Sequence, residues 1–122
     1  MGSVNISMRE IVEKKSRFIG YAARISSENE ARSFIDEISR LHRKSQHVAY
    51  SYVFPHTAKT SDAGEPRGTA GLPIYNVIVN RGIQNVVVVV VRYFGGTLLG
   101  KGGLIRAYGK AARLALDGCE NE

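Results

Sequence analysis

Residues 86–103 read VVVVVVRYFGGTLLGKGG, and the elements that this stretch predicts determine the fold around it. The six consecutive valines of Val86–Val91 form an unbroken apolar run, which is typical of a central strand buried on both faces. The glycine-rich segment Gly95–Gly103 follows, and apolar residues then recur at helical spacing from Leu104 to Leu116. The stretch therefore predicts a buried strand, a tight glycine loop and a closing helix.

Further strands are predicted upstream. Arg17–Ile25 and His47–Phe54 are rich in β-branched and aromatic residues, as strands are, and Arg9–Glu13 alternates loosely, as a short partner strand would. Residues 55–71 carry three glycines and two prolines and are predicted to form one long loop.

Two helices complete the pattern. Ser27 and Glu30 fit a capping box, and an apolar stripe at helical spacing follows it. Pro73 suits the first turn of a second helix, although the β-branched residues after it suit a strand equally well. The order ββαβαβα predicts an α+β fold, a two-layer sandwich in which helices cover one face of a mixed four-stranded sheet.

Composition limits the possible partners and compartments. The 122 residues predict a single domain over residues 1–122, and the formal net charge of +6 favours anionic partners. Cys119 has no second cysteine to pair with, which fits a reducing compartment. Since the longest apolar run has six residues, too few for a membrane helix, we expect a cytoplasmic protein.

The glycine loop 95–103 is the first candidate site, because its backbone N–H groups and the start of the next helix suit an anion. Gly95, Gly100 and Lys101 match the opening of a phosphate-binding P-loop. Gly102, however, stands where a P-loop needs Ser or Thr for magnesium. The alternative interpretation is a tight turn that merely joins strand to helix.

A basic stripe extends this candidate site. Arg106, Lys110 and Arg113 recur at positions i, i+4 and i+7 of the last predicted helix, and such a stripe can follow a phosphate backbone. A solvated helix face would show the same pattern. The predicted anion or nucleic-acid site consists of Arg92, Gly95, Gly96, Lys101, Gly102, Gly103, Arg106, Lys110 and Arg113.

The loop 61–69 is the second candidate, and we predict that it lies beside loop 95–103 at one end of the sheet. Its polar groups could bind a metal, act as an acid/base pair or hold a phosphate oxygen, or they could simply build turns. We assign no catalytic residue, metal or cofactor. The residues of this second loop are Asp62, Gly64, Glu65, Arg67 and Thr69.

Three motifs in order resemble the IMPACT family, which includes the bacterial YigZ proteins. The first is KSRFI at 15–19. The second is SD at 61–62 with GEP at 64–66 and GTAGLPI at 68–74. The third is VVVVRYFGG at 88–96 with LG at 99–100, GGL at 102–104 and RAY at 106–108. The chain departs from the family pattern at Ala63, where a second Asp is usual, and at Val48, where Asn is common. The Ala63 difference weakens any mechanism that uses paired carboxylates.

The resemblance implies a fold similar to domain IV of elongation factor G and a role linked to translation. Eukaryotic members regulate a translational stress kinase through a protein partner. Bacterial relatives commonly carry a second, ferredoxin-like domain, and we expect this chain to lack it because it ends too early.

Three functions compete at this point. The basic region and the resemblance favour an RNA- or ribosome-associated binding module. The alternatives are a phosphate-handling enzyme that uses loops 61–69 and 95–103, and a protein-interaction module that uses residues 62–69 with Tyr93 and Phe94.

We predict that the protein does not hydrolyse ATP, because Gly102 offers no hydroxyl to a magnesium ion. A phosphate-release assay with ATP and magnesium checks this. ATP turnover that disappears in Lys101→Ala would contradict it.

Overall fold

The computed structural model describes residues 6–120, which form three helices and one five-stranded sheet. The α+β class predicted from the sequence is confirmed. In chain order the elements are β1 (Ile6–Glu13), β2 (Ser16–Arg24), α1 (Glu28–Leu41), β3 (His47–Val53), β4 (Ala58–Ser61), α2 (Gly71–Asn80), β5 (Val86–Tyr93) and α3 (Gly100–Glu120).

The sheet has the strand order β1-β2-β5-β3-β4, and every neighbouring pair is antiparallel. It therefore differs from the predicted mixed four-stranded sheet. The additional strand, β4, lies inside the segment predicted as one long loop and pairs with β3. The valine strand β5 is central, and its Val89 lies opposite Tyr21 of β2 and Tyr50 of β3.

Both faces of β5 are covered by helices. Val86, Val88 and Val90 pack in the core cluster that includes α2 and α3, whereas the alternate valines pack against α1. The prediction that helices cover one face only is therefore wrong. The physical reason lies in the valine run itself, because successive side chains of a strand point to opposite faces and both rows here are apolar.

The predicted helices are present, with shifted ends. The Ser27 hydroxyl caps α1 by accepting from the Glu30 N–H at 3.2 Å, and Pro73 lies in the first turn of α2. The last helix begins at Gly100, four residues before the expected Leu104.

Gly20 determines how closely α3 approaches the sheet. A Cβ at this position would lie 2.6 Å from the carbonyl oxygen of Ala111 in α3, so any side chain would push the helix outward. Gly109, on the same helix, has more room, because its Cβ would meet only the Arg113 guanidinium at 3.8 Å.

We predict opposite effects for two identical substitutions. Gly20→Ala should lower the free energy of unfolding by about 1–3 kcal/mol through overpacking. Gly109→Ala should raise it by about 0.5–1 kcal/mol, since alanine favours a helix interior. Urea denaturation of the two variants checks both signs, and equal destabilisation would contradict the assigned contact.

Candidate nucleic-acid interface

A basic groove lies between α3 and the turn that joins β1 to β2. Arg106, Lys110 and Arg113 line it from the helix, as the predicted stripe, and Lys14 lines it from the turn. The cavity has a volume of about 370 Å³. Its remaining lining residues are Glu13, Leu99, Gly103 and Ala107. We call this cavity the basic groove.

The three basic residues share one side of α3 because they are spaced by four and three positions. The opposite side of the helix is buried and includes Tyr108 and Ala111. The carboxylate of Glu13 lies 3.9 Å from the Lys110 amine, but both groups are exposed. Such surface pairs contribute little, so this contact leaves Lys110 available to a ligand.

The two glycine-rich loops lie side by side, as the sequence predicted. Glu65 and Pro66 of the loop after β4 and Leu98–Lys101, where the glycine-rich segment enters α3, line one cavity of about 250 Å³. The predicted loop 95–103 is therefore a loop only as far as Leu99, because its last four residues form the start of α3. Leu99 lines both this cavity and the basic groove, so the two spaces adjoin. Lys101 is exposed at the start of α3.

A buried ion pair closes the floor of this second cavity. Nη1 of Arg92 donates to both carboxylate oxygens of Glu65, at 2.8 and 3.0 Å, and both side chains are almost fully buried. The guanidinium also donates to the Ser16 hydroxyl at 3.3 Å. Arg92, predicted to contact an anion, therefore has an internal carboxylate partner that compensates its charge.

Tyr108 completes the buried cluster from α3. Its hydroxyl donates to a Glu65 carboxylate oxygen at 2.5 Å. Burial raises the pKa of this phenol far above its usual range, and the hydrogen bond to the carboxylate raises it further. The phenol is thus held in its neutral, donating form. His47 approaches the same carboxylate, with Nε2 at 3.6 Å.

Asp62 organises the second loop. Its carboxylate accepts from the backbone N–H groups of Gly68, Ala70 and Gly71 at 2.9, 3.1 and 2.8 Å, which satisfies donors at the start of α2. Burial by itself would raise the pKa of Asp62, but these three bonds to the ionised form hold it below its usual value. The Asp62 carboxylate thus has a structural role, which is to hold the backbone of the second loop.

Other predicted residues of this loop also shape the backbone. Thr69 is buried and donates to the Pro66 carbonyl, while Gly64 and Gly68 have φ of +86° and +78°, where side chains are rarely tolerated. Arg67, by contrast, is exposed.

Of the remaining predicted glycines, some shape the backbone and others lie at the groove or the surface. Gly95 touches the β1–β2 turn, since a Cβ there would lie 2.0 Å from the carbonyl oxygen of Lys15. Gly96 has a φ of +90° and Gly103 lines the basic groove, while Gly102 is exposed beside Arg106.

Sequence reasoning missed the contribution of Lys14. The predicted strands Arg9–Glu13 and Arg17–Ile25 leave three residues between them, whereas in the structure Lys14 and Lys15 alone join β1 to β2 in a tight hairpin. What the sequence could not show was that this hairpin packs beside α3.

His42 is engaged by two tyrosines. Its ring nitrogens lie 2.6 Å from the Tyr21 and Tyr93 hydroxyls. Burial lowers the pKa of this imidazole, and the charge of Arg17 lowers it further. The histidine therefore favours its neutral form.

Within residues 6–120, no group of three or more His, Cys, Asp or Glu side chains is placed to hold a metal ion. None of the helices there combines the length and the apolar character that crossing a bilayer requires.

Comparisons with known proteins agree with the motifs. Residues 14–116 match the Impact N-terminal domain family. The chain is 47% identical over 111 residues to the IMPACT family member YvyE of Bacillus subtilis, an alignment that covers 88% of this chain and 51% of YvyE.

Two solved structures share the fold. A crystal structure of a hypothetical protein has a TM-score of 0.89 and 35% identity, covering 92% of this chain and 57% of that one. The two-domain translational regulator Yih1 has a TM-score of 0.61 and 28% identity, covering 98% of this chain and 48% of Yih1. The chain spans about half the length of the relatives that it matches.

We predict a pH-dependent cost for Asp62→Asn. An amide oxygen accepts more weakly than a carboxylate, so the variant should be less stable at neutral pH. Because folding lowers the pKa of Asp62, the wild-type carboxylate adds stability above its unfolded pKa and loses it as pH falls through its folded pKa.

The stability difference between wild type and Asp62→Asn should therefore shrink below a pH of about 4. Urea denaturation at several pH values measures it, with Asp36→Asn on the exposed side of α1 as control. A difference that stays constant with pH would contradict the capping role.

Proposed function

This chain belongs to the IMPACT family, and on that premise we propose that it is a nucleic-acid-binding module with a regulatory role in translation. The translational part of the proposal is supported by the similarity to Yih1, which is a translational regulator. RNA or the ribosome is the partner that the chemistry of the surface favours.

The observation that carries the proposal is the basic groove. Four cationic side chains line one cavity: Lys14, Arg106, Lys110 and Arg113. Among the residues of 6–120 that line it, Glu13 is the single acidic one. Lysine and arginine neutralise phosphates and release counterions, and this contribution does not depend on sequence. The groove thus suits a phosphate backbone.

The neighbouring cavity supports an extended ligand. It adjoins the basic groove at Leu99 and adds the Lys101 amine beside the start of α3, where backbone N–H groups and the helix dipole favour anions. A polyanion that occupied both spaces would meet five cationic side chains.

The two alternative functions differ in their support. The Asp62 and Glu65 carboxylates, which a phosphate-handling enzyme would need, are engaged by the protein's own donors. A protein-interaction surface has a specific observation in its favour, because Phe94 is 45% and Leu98 is 81% exposed. Apolar side chains this exposed can dock on a protein partner.

We predict that Lys110→Gln combined with Arg113→Gln weakens RNA binding about equally for unrelated sequences. If both residues contact phosphates, the log–log slope of affinity against salt should fall by roughly 1.4 for single strands. Fluorescence anisotropy across a salt series measures the slope, and a thermal melt checks folding.

The matched control is Arg32→Gln combined with Lys59→Gln, which removes the same charge from two exposed residues outside the groove. It should leave the slope almost unchanged. If the groove variant binds like wild type, or wild type binds no RNA at low salt, the nucleic-acid proposal is wrong.

A further inference from the structure

A second basic cluster lies on the α1 side of the sheet. Arg17, Arg43 and Lys44 line a cavity of about 260 Å³ together with Leu41 and Tyr93. The Arg17 guanidinium donates to both carboxylate oxygens of Glu10, at 2.7 and 3.2 Å, so Arg43 and Lys44 supply the uncompensated charge of this cavity. Within residues 6–120, no carboxylate comes within ion-pair distance of Arg43 or Lys44. We call these residues the α1 cluster.

The α1 cluster and the basic groove are joined by the β1–β2 turn. Lys14 and Lys15 form the turn, and Lys14 lines the groove on the α3 side. Phe18 packs on that same side against Tyr108, so Arg17 points to the other face, where it stacks on Tyr93 at 5.0 Å. Three residues of chain span at most about 10 Å, so a short step connects the two cationic surfaces.

The backbone conformation of the turn favours a ligand-binding role for Lys14 and Lys15. Lys14 and Lys15 have φ of 46° and 70°, a region where such hairpin turns usually carry Asn and Gly. Lysine at both positions costs stability that an Asn-Gly turn would avoid. A ligand that contacts both ammonium groups would explain why lysine occupies both positions.

We propose that a single-stranded nucleic acid runs from the basic groove over the Lys14–Lys15 turn to the α1 cluster. This inference rests on the proposed function and specifies its ligand. A path that bends around the end of the sheet suits a flexible strand, because a double helix stays stiff over about 150 base pairs. The exposed ring of Phe94 offers a stacking surface for a base.

The test compares labelled oligouridylates of about 5 and about 15 nucleotides, lengths near the two ends of the usual range for single-strand sites. The longer strand should bind wild type more tightly and with a steeper salt dependence. Arg43→Gln combined with Lys44→Gln should reduce the slope for the longer strand by roughly 1.4 and leave the shorter strand unaffected. Both residues are exposed, so folding should survive, and a thermal melt confirms this.

Two controls separate the outcomes. Arg32→Gln combined with Lys59→Gln removes equal charge outside the path and should spare both strands. An RNA duplex of equal length should show no effect of the Arg43 and Lys44 substitutions. If the α1-cluster variant binds both single strands like wild type, or if it loses duplex binding equally, the extended path is wrong while the groove proposal stands. If wild type binds neither strand, the proposed function itself fails.

Discussion

Glu65 and Arg92 meet in the interior of the protein, and each comes from a different part of the chain, the loop before α2 and the end of β5. Tyr108 of α3 donates a hydrogen bond to Glu65, and Ser16 of β2 accepts one from Arg92. Removing one partner of such a buried pair costs about 3–5 kcal/mol, because the other charge stays uncompensated. The pair therefore fixes the position of the second loop relative to the sheet and α3.

Glycines impose a second set of constraints, because the lack of a side chain lets two backbone segments approach closely. Gly95 lies against the backbone of Lys15, and a Cβ at Gly71 would lie 2.9 Å from the backbone of Ser61. These contacts hold the β1–β2 turn against the glycine loop and hold α2 against β4. Because the turn is fixed in this way, Lys14 faces α3 and the groove has two cationic walls.

The candidate site was only partly readable from the sequence. The spacing of Arg106, Lys110 and Arg113 placed them on one helix face, and the composition of both loops predicted that they meet. The sequence did not show that Arg92 is compensated by Glu65, because the two residues are 27 positions apart and their pairing depends on the packed interior. For the same reason it did not reveal Lys14.

The sequence by itself determined the elements whose signal is local: the valine strand, the capped helix after Ser27 and the body of the last helix from Leu104 onward. Their periodicity and capping depend on neighbours within a few residues. Only the tertiary structure decided that the sheet has five antiparallel strands, that helices cover both of its faces and that a hairpin turn completes the basic groove. Strand order and surface charge depend on contacts between distant segments, which no local pattern encodes.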